Sequence, residues 1–204
     1  MNRTATRLFL VFAALAGLAE PAFAHHLMGG RTPATFGEGV LSGLGHPIIG
    51  LDHFAAVVAV GCLAAAHRSG AALAVGFVLA MIAGVGLHVH GTTVPAADML
   101  VALTVIVLGA LMLRRRAMPA SGALALFALV GLVHGYALGE SIYGAEPTPL
   151  YAYLMGLALI QSAIALAAMG VARVLLLEGL RLRLLGAITG VGLAVFMQQV
   201  IPAA

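Results

Sequence analysis

Residues 45–66 read "GHPIIGLDHFAAVVAVGCLAAA". As a helix, the run is long enough to cross the roughly 30 Å hydrocarbon core of a bilayer, yet it opens with His46, Asp52 and His53. An ionisable side chain in such a segment is costly unless it is paired, hydrated or bound to an ion. Pro47 suits the first turn of a helix, and Gly50 can relax the backbone. His46 and His53 are seven residues apart and face the same way on a straight helix, but about 10.5 Å apart along its axis. A single ion held by both therefore requires a local break. The alternative is two stations, His46 outside and Asp52/His53 deeper.

The rest of the chain agrees with a membrane setting. Its 204 residues are 62% hydrophobic and 8% charged, with a mean hydropathy of +1.11; soluble domains carry about 25% charged residues. The net charge of +3 rests on arginine alone. In a membrane protein such charges report topology rather than nucleic-acid binding. A single cysteine, Cys62, excludes an intrachain disulfide and a CxxC metal site.

The first residues have the pattern of an export signal. Arg3 and Arg7 precede an apolar run from Leu8 to Leu18, followed by Ala22-Phe23-Ala24. Cleavage after Ala24 is expected, so that 1–24 is a signal peptide and 25–204 a single transmembrane domain starting at His25. Apolar length predicts six spans in that domain, at 47–66, 70–90, 95–113, 118–139, 149–172 and 184–201. The short segment 36–45 is expected as a periplasmic or re-entrant piece. Arginines follow the first span (Arg68), the third (114–116) and the fifth (Arg173, Arg181, Arg183), and the alternate loops lack them. Positive-inside logic places both termini in the periplasm of a bacterial inner membrane. GxxxG pairs at Gly39/Gly43, Gly131/Gly135, Gly135/Gly139 and Gly186/Gly190 point to closely packed helices.

On this topology the ionisable residues gather on one side. His46, Asp52 and His53 lie in the outer part of the first span, His88 and His90 end the second, and His134 and Glu140 end the fourth. Asp98 opens the third span, where capping a helix or meeting water accounts for it, and His25 and His26 form the expected mature N-terminus. Only His67 falls on the arginine side. Imidazole with carboxylate suits Ni(II), Co(II), Zn(II) and Cu(II); calcium and magnesium want more oxygen.

"HPIIGLDHFAAVVAVG" resembles the H-P-x-x-G-x-D-H motif of the HupE/UreJ family, nickel and in some members cobalt permeases associated with hydrogenase and urease systems. "HGYALGE" at 134–140 is similar to that family's H-G-x-A-x-G-x-E segment, with one residue fewer before Glu140. The resemblance extends over nearly the whole chain. It implies that His46, Asp52 and His53 handle metal, and that a hydrogenase or urease maturation system is a partner.

The expected function is a secondary permease importing a divalent transition metal, nickel first and cobalt next, zinc and copper also compatible with the ligands. No permanent cofactor, nucleic-acid partner or catalytic residue is expected; lipid and the metal ion are the partners. The chain carries no Walker A motif for ATP hydrolysis. The other readings are a membrane-embedded zinc hydrolase, a periplasmic metal-capture protein and, more weakly, a b-type haem protein.

Overall fold

The computed structural model describes residues 31–112, 114, 116–175 and 178–200. The expected signal peptide, His25 and His26 lie outside the described residues. Within them, all regular structure is helical: α1 Phe36–Ile49, α2 Leu51–Ala64, α3 Gly70–Val89, α4 Ala97–Leu111, α5 Ala120–Leu138, a 3₁₀ turn Gly139–Ile142, α6 Pro147–Leu175 and α7 Glu178–Val200.

Helix α1 begins with a capping box. The Thr35 hydroxyl accepts from the Glu38 amide at 3.2 Å, and the Glu38 carboxylate accepts from the Ala34 and Thr35 amides at 2.8 and 3.2 Å. These bonds satisfy amide donors that a helix start otherwise leaves open. Instead of forming a short peripheral piece, 36–45 joins the residues after it in one helix that packs along α6.

The single straight span expected over 47–66 is not what forms. Pro47 sits in the last turn of α1 rather than the first turn of a new helix. Gly50 is extended (φ −72°, ψ 99°), α2 restarts at Leu51, and the two helices meet at 79°. Proline lacks the amide that would continue the hydrogen-bond ladder, and Gly50 then turns the chain. This elbow is a local break of the kind that a single ion held by both His46 and His53 would need.

Three helical segments are long and apolar enough to cross a membrane: Gly70–Val89, Ala120–Ile142 and Pro147–Val174. The bent pair α1/α2 makes a fourth if counted as one span, and Ala97–Leu111 and Ala187–Met197 are shorter apolar helices. Fifteen residues of α4 rise only about 22 Å, short of a perpendicular crossing.

Helix α2 is central, touching α1, α3, α4, α5, α6 and α7. The tightest pairings, α3 with α5 and α1 with α6, are made through glycine. A Cβ on Gly135 would run into the Met81 carbonyl, and one on Gly43 into the Tyr153 carbonyl. Close backbone approach of this kind is the main source of helix association in lipid, where apolar side chains gain little by leaving the hydrocarbon.

The bundle has two chemically distinct ends. One carries the start of α1, the end of α3 with His88 and His90, the start of α4 and the 3₁₀ turn. From it α1 runs inward along α6, Gly39 against Pro149 and Gly43 against Tyr153, so that the elbow, His46 and His53 lie within the bundle. The other carries a cavity of about 280 Å³ lined by Cys62, His67, Met112, Arg114, Arg116 and Arg173 among others. Arg173 donates there to the carbonyls of Ala65 (3.5 Å) and His67 (3.0 Å), capping the end of α2.

Candidate metal centre

The elbow decides where the first motif's side chains go. Asp52 lies in the first turn of α2, and its Oδ1 accepts from the His53 amide at 2.8 Å. A carboxylate there faces the positive end of the helix dipole, and the last turn of α1 opposes it with carbonyl oxygens at a negative end. His46 occupies that last turn and is buried. Bending brings its ring to 6.3 Å from the ring of His53, centroid to centroid.

His53 in turn reaches α5. Its ring centroid lies 5.0 Å from that of His134, and the two Nδ1 atoms are 2.9 Å apart. The other nitrogen of His134, Nε2, is 2.9 Å from the Thr104 hydroxyl on α4. That hydroxyl donates its one proton to the Val101 carbonyl at 2.7 Å. His134 is fully buried and His53 nearly so.

This chain fixes the protons by elimination. With its hydrogen committed to Val101, Thr104 can only accept from His134, so His134 carries its proton on Nε2. The neutral ring then offers Nδ1 as an acceptor, and the proton shared with His53 belongs to His53 Nδ1. His53 is left with a lone pair on Nε2, the form in which imidazole binds a transition metal. A histidine ligand whose second nitrogen is tied to a protein acceptor is the usual arrangement at metal sites. His134 is thus placed as the group that orients His53. Thr104 is the residue sequence reasoning missed: an isolated threonine in an apolar helix bears no motif, and only the packing of α4 against α2 and α5 gives it a partner.

The remaining candidates stand apart. His88 lies beside the rings of Tyr136 (4.7 Å) and Tyr143 (5.6 Å), and Gly139 allows the turn after α5 to approach the His88 side chain. His90 is exposed at the end of α3. Glu140 is exposed in the 3₁₀ turn and Asp98 in the first turn of α4. Tyr136 braces this end by donating to the Thr92 carbonyl and accepting from the Val94 amide, both at 2.9 Å. Among the described residues, no three His, Cys, Asp or Glu side chains converge closely enough to hold an ion together.

Comparison with known proteins places these features in a family. Residues 13–196 match the family described as HupE / UreJ protein. A protein of Rhizobium leguminosarum bv. viciae named Protein HupE is 36% identical over 127 residues, 61% of this chain. The match spans 64% of that relative's own length. No solved structure matches.

Proposed function

Since the chain belongs to the HupE/UreJ family, we propose that it is a secondary permease that takes a divalent transition metal, nickel first and cobalt next, across the bacterial inner membrane. In this reading the histidine end faces the periplasm, and the arginine end faces the cytoplasm, in keeping with the positive-inside bias. The metal is cargo, and a hydrogenase or urease maturation system is its destination.

The observation that carries the reading is the relay from Val101 through Thr104 and His134 to His53. Such a hydrogen-bond chain fixes the tautomers of a buried histidine pair in any role, so what favours a metal is the remaining nitrogen and what surrounds it. This pair leaves a ligand nitrogen on His53, beside a carboxylate and a second imidazole at a helix break. Broken helices with unsatisfied termini are a common way to build ion sites in transporters. His46, Asp52 and His53 are the proposed ligands, with His134 and Thr104 positioning His53. Binding in this reading requires His46 and Asp52 to move toward His53, since no three such ligands converge among the described residues. His25, His26, His88, His90 and Glu140 are proposed as peripheral groups that concentrate metal at the mouth.

The test is uptake of Ni, Co, Zn and Cu into proteoliposomes by wild type and Asp52→Asn. Asparagine keeps the size and hydrogen bonding of Asp52 but removes the charge that offsets the ion. Uptake of nickel by wild type and its loss in the variant support the reading; equal uptake by both would show that the carboxylate is structural. Zinc that stays bound stoichiometrically through purification would instead favour the hydrolase.

A further inference from the structure

The histidines lie toward one end, and the inner half of the bundle offers few groups to a cation. One pair at mid-depth, inward of His53, is unusual. Gln161 is the middle residue of Pro147–Leu175, and Met81 lies near the middle of Gly70–Val89. Gln161, on α6, is fully buried, and its amide nitrogen donates to the thioether of Met81 on α3 at 3.0 Å. Its Oε1 is buried with no hydrogen-bond partner among the described residues. Met81 is also fully buried and belongs to the hydrophobic core. A buried acceptor without a donor bears its full desolvation cost, which an apolar residue of similar size would avoid. An orphan of this kind calls for an explanation such as an absent water or ion.

Its level in the bundle follows from the helix register. Gly61 on α2 packs against the Ala165 carbonyl on α6. One turn earlier on each helix stand Val57 and Gln161, and one further turn along α2 stands His53. Gln161 therefore lies about 6 Å inward of the His53 level. The backbone of Met81 packs against Gly135, next to His134, and side chains on a helix lean toward its N-terminus. For α3, that direction is away from the histidine end. Farther inward, Cys62 lines the cavity at the arginine end.

We propose that Gln161 Oε1 and Met81 Sδ form a second, inner station for the transported cation, between the elbow and the cavity at the arginine end. This rests on the permease reading and specifies its path. An amide oxygen is a neutral ligand, and a thioether is a soft one with a second lone pair beyond the one accepting from Gln161. Together they bind a borderline or soft divalent ion weakly, as an intermediate stop requires: an ion that is held tightly does not leave.

The experiment separates binding from passage, using wild type, Met81→Leu and Gln161→Leu. Met81→Leu nearly conserves volume while removing the thioether. Equilibrium Ni²⁺ binding to detergent-solubilised protein reports the elbow; Ni²⁺ and Cd²⁺ flux into proteoliposomes reports the path. Both variants are expected to bind Ni²⁺ as wild type does. Flux should fall about tenfold in Gln161→Leu, and Met81→Leu should lower Cd²⁺ flux several-fold relative to Ni²⁺, because cadmium is the softer ion. A role in packing or in holding a water would not change that ratio. Wild-type fluxes and an unchanged Cd²⁺/Ni²⁺ ratio in the variants would overturn the inner station and leave the permease standing. If Gln161→Leu does not fold, the ratio in Met81→Leu decides alone. A wild-type protein that binds but moves no ion would sink the permease and the station together.

Discussion

The Nδ1 atoms of His53 and His134 face each other at 2.9 Å across 81 positions of sequence. Two imidazoles at that distance share one proton, so the pair has a direction. The Thr104 hydroxyl, which gives its hydrogen to Val101, sets that direction and frees Nε2 of His53.

Thr104→Val tests this relay. Valine matches threonine in shape but cannot accept from His134, which loses its reason to carry the proton on Nε2. Metal affinity should fall by about 10- to 100-fold, the usual effect of removing a partner behind a metal-bound histidine, and Thr104→Ser should recover most of it. Calorimetric titration of nickel into the purified variants makes the comparison. Wild-type affinity in Thr104→Val would remove Thr104 from the site.

Acid should release the metal. Imidazole must be neutral to bind, and a free imidazole has a pKa of about 6.5. As pH falls from about 7 to about 5, protons increasingly compete for the ligand nitrogens. Because two histidines are proposed as ligands, the loss should be steeper than a single titration. Equilibrium dialysis across that range, without a membrane gradient, isolates binding from coupling. An affinity that stays flat would point to carboxylate and carbonyl ligands instead.

His90→Ala should leave nickel affinity at the elbow unchanged. The side chain is exposed at the end of α3, whereas His46, His53 and His134 are buried. Exposed substitutions of this sort usually stay within about 0.5 kcal/mol in stability. A substantial loss of affinity would show that the end of α3 folds over the elbow when metal binds.

Gly135→Ala and Gly86→Ala form a matched pair for stability. The new methyl at 135 would collide with the Met81 carbonyl, whereas at 86 it meets nothing within 4 Å among the described residues. Backbone cannot yield as a flexible side chain does, so Gly135→Ala should destabilise by about 1–3 kcal/mol. Gly86→Ala should be neutral or stabilising by up to about 1 kcal/mol, from helix propensity. Thermal unfolding in detergent compares them; equal melting temperatures would mean that α3 and α5 do not pack this closely.

Much of this protein is determined by local sequence. Apolar length produces helices at 70–89, 97–111, 120–138 and 147–175, close to where hydropathy places them, because burying backbone polar groups in hydrocarbon leaves little alternative to a helix. The motif residues His46, Asp52, His53 and His134 are likewise legible as a costly group of polar residues in an apolar chain. Tertiary structure decides what they do together. Proline at 47 and glycine at 50 are compatible with a helix start as well as with a helix end, since either residue serves at both boundaries. Only the packing of α1 along α6 and of α2 through the centre selects the elbow. Thr104 and the Gln161–Met81 contact leave no trace in sequence at all: their partners come from other helices, and a lone hydroxyl, amide or thioether acquires a role only when the fold determines which atom it meets.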